Sequence, residues 1–161
     1  MGENSEIVIN EQDRQIILKN QNLTQIVISN KSTKLVKQVT TFNASNNSIT
    51  QMSGIRPFIN LIVLNLSHNN IGEMSDLDQF KSLSALILNN NKITKIQGLE
   101  HCLEINTIVL SHNLLTGIDG IQHLNKLKKL SISHNQIAVI LFLYIGSRKL
   151  QMCKFRRTSN Q

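Results

Sequence analysis

The sequence predicts an α/β-class solenoid, in which short parallel strands are joined by tight turns into a stacked coil. Three observations predict it. Four consecutive 22-residue windows align without gaps, at 39–60, 61–82, 83–104 and 105–126, and a fifth, 127–148, begins in register. Apolar residues recur at window positions 1, 4, 6, 11, 14, 17 and 20, as in Leu61, Leu64, Leu66, Ile71, Met74, Leu77 and Phe80, with Ala44 and Cys102 as small exceptions. Asn stands at position 9 of every window, as Asn47, Asn69, Asn91, Asn113 and Asn135. A unit this short cannot bury its apolar side alone, so neighbouring copies must share one continuous core.

Each element follows from the spacing. Positions 4 to 6 alternate apolar, polar, apolar, which suits a short strand with one buried face. The three-residue apolar spacing from 11 to 20 suits 3₁₀-like turns better than a long α-helix. Asn at position 9 falls where the chain must turn inside the stack. Its carboxamide both donates and accepts, and so can satisfy buried backbone groups of its own coil and the next. A longer, degenerate unit precedes the windows, with Ile16, Leu18 and Leu23 at the matching places.

The pattern L-x-x-L-x-L-x-x-N-x-I resembles the leucine-rich repeat. The 22-residue length, "ITKIQGL" at Ile93–Leu99, "LTGIDGI" at Leu115–Ile121 and glycine at position 16 (Gly54, Gly98, Gly120) resemble one subclass, from which Asp76 departs. That subclass is typified by the leucine-rich regulatory subunit of protein phosphatase 1, and includes an axonemal dynein light chain and several centrosomal proteins. The resemblance implies a curved right-handed coil, with its parallel sheet on the concave side and irregular turns on the convex side. It also implies an intracellular protein-binding scaffold: cytoplasmic, with nucleus, centrosome or cilium as other locations. In the phosphatase regulator, acidic and aromatic concave residues are expected to grip the partner; here that face has neither.

The expected organisation is an N-terminal cap segment (1–12), about six repeats (13–143) and a poorly ordered basic C-terminal tail (144–161). No charged segment followed by an apolar run opens the chain, so no signal peptide is expected. The net charge of +7 is uneven: residues 148–161 carry five basic residues and no acid, leaving twelve basic and ten acidic residues in the body. With two cysteines and no C-x-x-C spacing, neither a disulfide framework nor a cysteine zinc site is expected.

Positions 2, 3, 5, 7 and 8 are expected to face solvent along the sheet. They carry an apolar patch of Ile62, Val63, Ala85 and Ile87 with Val109 beside it, and Lys128 and Lys129 at the C-terminal end. The patch reads either as a partner contact or as aliphatic residues that favour strands. The tripeptide Ser-His-Asn occurs three times and puts His68, His112 and His134 in one column, at position 8. Adjacent strands lie about 4.8 Å apart, which brings His112 and His134 within reach while His68 stands two rows away. Two histidines with no Cys, Asp or Glu beside them fall short of a zinc shell, so the column reads as repeat usage. The expected partner-binding set is therefore Ile62, Val63, His68, Ala85, Ile87, Val109, His112, Lys128, Lys129 and His134.

No phosphate loop, nucleophile elbow or H-E-x-x-H motif occurs, and the expected face has no carboxylate pair for acid–base chemistry. The expectation is a non-catalytic, cofactor-free monomer that binds a protein. Two alternatives stay open: association of the basic tail with nucleic acid or an anionic membrane, and a shortened fragment without activity of its own. The run "IAVILFLYIG" (137–146) bears on both, because it fills the polar places of the repeat. It reads as a lid on the open end of the coil or as sequence unrelated to it, and is too short to span a bilayer.

Overall fold

The computed structural model describes residues 6–29, 32 and 34–138, together with the backbone of 144–145 and 148–149. Six three-residue strands form one parallel sheet in chain order: β1 (Gln15–Ile17), β2 (Thr41–Asn43), β3 (Val63–Asn65), β4 (Ala85–Ile87), β5 (Thr107–Val109) and β6 (Lys129–Ser131). The coil returns every 22 residues from Thr41↔Val63 through Thr107↔Lys129, and its first turn is longer, pairing Gln15 with Thr41. The central residues Ile16, Phe42, Leu64, Leu86, Ile108 and Leu130 pair in one buried row.

The strands are short, but the hydrogen-bonded ladder runs past them. Position-6 amides donate to the position-5 carbonyl of the next coil, as Leu66 N does to Ile87 O at 2.9 Å. Position-8 amides donate to the next position-7 carbonyl, as His68 N does to Asn89 O at 2.9 Å. The far side contains little helix: 3₁₀ turns at Val36–Gln38 and Ser53–Ile55. Elsewhere single i→i+3 bonds recur, such as Phe80 N to Leu77 O (3.1 Å) and Leu83 N to Phe80 O (3.2 Å). They link positions 17, 20 and the next 1, so the three-residue apolar spacing is the spacing of the turns themselves.

The core is one stack running the length of the coil, with Phe42 and Phe58 tilted against each other at 5.0 Å. The asparagine ladder holds its polar seam. Asn69 Nδ2 donates to Leu66 O in its own coil and Ala44 O in the preceding one, both at 3.0 Å, while its Oδ1 accepts from Ile49 N at 2.9 Å. Asn91, Asn113 and Asn135 repeat the arrangement. The amides thus reach back to the preceding coil, not forward to the next. Asn47 serves the degenerate first unit in the same way, accepting from Gln21 and Leu23 amides and donating to Leu18 O.

Ahead of β1, Ile7 forms a parallel bridge with Ile28, and Ile9 N donates to Ser32 Oγ at 2.7 Å. Beyond residue 138 only an antiparallel pair is described, β7 (Tyr144–Ile145) with β8 (Arg148–Lys149). The rest of the segment expected as a basic tail, and most of the apolar run before it, lies outside the described residues.

Candidate protein-interaction face

The register sorts the expected site residues into two groups. On the strands, Val63 pairs with Ala85 and Ile87 with Val109, so the apolar residues of β3, β4 and β5 adjoin one another. They are half-buried, and Ile62, just before β3, is 45% exposed. One strand further, Lys129 pairs with Thr107 and Ser131 with Val109; Lys128 and Lys129 are both exposed. This group forms one continuous surface: aliphatic over β3–β5, cationic at β6.

The histidines form the second group, in a separate column past the strand ends. The rings of His112 and His134 stack, with centroids 4.0 Å apart and planes 8° from parallel. His68 reaches not another histidine but Asn90, with 3.3 Å between Nε2 and Nδ2. Among the described residues no three His, Cys, Asp or Glu side chains gather as a metal shell. The backbone supplies the reason for this column. Asn46, His68, Asn90, His112 and His134 all sit at φ between 55° and 58°. In this left-handed region Asn, Asp and His are several-fold enriched among residues with a side chain. Position 16 does the same in three coils with other residues: Gly98 and Gly120 have φ of 75° and 91°, and Asp76 holds 55°, whereas Gly54 lies within the 3₁₀ turn Ser53–Ile55 and does not. Asp76 therefore departs from the glycine pattern without departing from its backbone.

One column expected on the surface lies inside. Ser45, Ser67 and Ser111, at position 7, are buried, and Asn89 and Ser133 are half-buried. The left-handed turn at position 8 follows directly, and the small hydroxyls are accommodated within the bend. Ser45 and Ser67 amides are held by the side-chain oxygens of Asn43 and Asn65 at 3.1 and 3.0 Å. The Ser111 hydroxyl bonds those of Ser131 (2.6 Å) and Ser133 (3.0 Å). The exposed face is thus positions 2, 3 and 5, with position 8 at its border.

Ile17 on β1 extends the face and was missed from the sequence. It is 51% exposed and pairs with Asn43. The alignment of Ile16 and Leu18 with the buried places of the repeat already puts Ile17 at the outward position 5, but the five regular windows, from which alone the face was read, do not include it.

The two ion pairs among the described residues lie away from this face. Arg56 pairs with Asp76 at 2.8 Å, and Lys126 with Glu104 at 2.6 Å. Cys102 is buried in the core and donates to Leu77 O at 3.2 Å. Burial, with Glu100 and Asp78 nearby, pushes its thiol from 9.0 up to about 11, which leaves it protonated and inert at neutral pH.

Leucine-rich repeat family models match the chain twice, as a two-copy repeat over residues 59–101 and as a repeat over 81–137. No curated protein matches it in sequence. Solved structures similar to it include an internalin from Listeria monocytogenes (18% identity, TM-score 0.72, 81% of this chain) and the functional domain of InlJ from the same species (28%, 0.64, 82%). A leucine-rich repeat protein of Leptospira interrogans is also similar (24%, 0.70, 81%). The chain spans 37%, 28% and 40% of the lengths of these three.

Proposed function

We propose, from the premise that this chain is a leucine-rich repeat protein, that it is a non-catalytic module binding another protein through the open face of its sheet. One observation carries the reading: Ile62, Val63, Ala85, Ile87 and Val109 adjoin on one sheet surface with no carboxylate among them. Aliphatic side chains left at a sheet surface bury apolar area when a partner covers them. The 22-residue period and the glycine column support the subclass of the phosphatase regulator, and with it an intracellular, monomeric scaffold.

The test is affinity capture with the full chain, with an Ile62→Ser, Val63→Thr, Ile87→Thr, Lys128→Ser variant, and with residues 147–161 deleted. Circular dichroism on each checks the fold. The reading expects a protein captured by the full chain and the deletion, and lost by the quadruple variant while its fold persists. Loss only on deleting the basic end would overturn it, in favour of tail-driven binding.

A further inference from the structure

We infer that the partner of this face is an extended protein segment that crosses the strands, with an aliphatic side chain over Ile87 and Val109 and a carboxylate on Lys128 and Lys129. This rests on the proposed function and adds the chemistry of the partner. From β2 through β5 the face is uncharged, its aliphatic residues set among Asn65, Ser84, Asn106 and Thr107, and at β6 it presents two exposed lysines. No described carboxylate pairs with either lysine; the described ion pairs are those of Asp76 and Glu104, off the face. Ser131, beside Lys129 on the same face of β6, adds a hydroxyl joined to Ser111.

An uncompensated positive end beside an aliphatic patch selects a partner with both features, and charge complementarity sets its direction. The chain's own C-terminal segment does not qualify, since residues 148–161 carry five basic residues and no acid. Spacing makes the inference specific. From midway between Ile87 and Val109, Lys129 lies one and a half strand intervals across, about 7 Å, and two residues back in register, about 7 Å along the strands. That is ~10 Å in all, and an extended chain advances ~3.3 Å per residue. The acidic residue then falls about three positions from the aliphatic one.

The experiment is selection of a random peptide library on the full chain, followed by titration of a synthetic enriched peptide. Lys128→Glu/Lys129→Glu and Ile87→Thr serve as variants. The charge reversal keeps β6 charged and touches only exposed side chains, and threonine keeps the β-branch that strands favour. The expected selection places Asp or Glu three or four residues from Leu, Ile or Val. Reversal should weaken that peptide about tenfold, should flatten its salt dependence, and should select Lys or Arg at the same spacing. Enriched peptides without acids would overturn the inference, and so would no enrichment. If such uncharged peptides still lose binding with Ile87→Thr, the sheet-face reading stands alone. Acidic peptides indifferent to both variants would place binding on the basic tail and overturn both. Reversal-sensitive binding to phosphatidylserine vesicles, without peptide enrichment, would replace the protein segment by a membrane.

Discussion

His68 and Asn69 are neighbours in the chain, and each belongs to a column that repeats every 22 residues, but the two columns are filled for different reasons. Position 9 holds Asn five times out of five, whereas position 8 reads Asn, His, Asn, His, His. At position 9 the surroundings demand one acceptor and two donors, at a short reach, inside the stack. Asp supplies no donors, Ser too few groups, and Gln an extra methylene. At position 8 the demand comes from the backbone, at φ near 56°, and the side chain is left largely to solvent. Any residue that tolerates the left-handed region meets it. Identical periodicity therefore conceals a chemical constraint in one column and a conformational one in the other.

The largest break in that comparison comes at position 9. Asn91→Ala leaves the Ile71 amide without its partner at 2.9 Å, buried in the core. The carbonyls of Leu66 and Leu88 each keep a second asparagine, Asn69 and Asn113, so the orphaned donor dominates the loss. An unsatisfied buried amide, together with two lost bonds, should destabilise the fold by about 3 kcal/mol, read from the urea midpoint. Asn91→Asp should be no milder, because it keeps the acceptor while burying a charge and removing both donors. A loss below about 1 kcal/mol would mean that water can replace the ladder.

The next effect separates two glycines. At Gly120 the backbone has φ of 91°, and an added Cβ would lie 2.6 Å from Ile96 O. Gly120→Ala therefore combines left-handed strain with a clash against the preceding coil, and should cost about 2 kcal/mol. At Gly72 an added Cβ meets nothing within 4 Å and φ is not positive. Gly72→Ala should be neutral, or stabilising by up to about 1 kcal/mol through the unfolded chain. Thermal melts of the two variants, moving in opposite directions or not, decide it.

These columns also mark how far the sequence could be read. The period, the core and the position-9 ladder were legible because each imposes side-chain chemistry, which recurs as letters. Even so, the sense in which the ladder bonds, back to the preceding coil, depends on where the carbonyls of Ala44 and Leu66 point, and no residue type encodes that. Position 7 misled for a related reason. Serine is polar and follows a strand, so Ser45, Ser67 and Ser111 read as surface, whereas the bend that buries them is set by φ one residue later. A signal was available: Asn and His exchanging in one column, and Asp76 with Gly98 and Gly120 in another, are residues that share tolerance of positive φ. On the candidate face, Val63, Ala85, Ile87, Val109 and Lys129 were legible from the strand alternation, and Ile62 and Lys128 from the repeat register, since they precede the strands. Ile17 was legible in the same way, between Ile16 and Leu18 at the buried places, but the face was read only from the regular windows and the degenerate first unit was left out of it.

The smallest effect tests whether position 8 carries anything beyond backbone conformation. His112 has φ of 57° and stacks on His134 at 4.0 Å. If conformation alone matters, His112→Asn should leave stability within about 0.5 kcal/mol, and His112→Gly should do the same or better, since glycine enters this region freely. His112→Val should cost about 1 kcal/mol, because a β-branched side chain is an outlier there. Chemical denaturation of the three variants gives the order directly. A ranking of Gly at or above Asn, with Val lowest, assigns the column to the backbone and makes the repeated histidines a consequence of the turn. If Asn and Gly are instead both destabilised as much as Val, the imidazole stack itself holds the last two coils together. His112 and His134 would then be constrained by their side chains, as the asparagines beside them are.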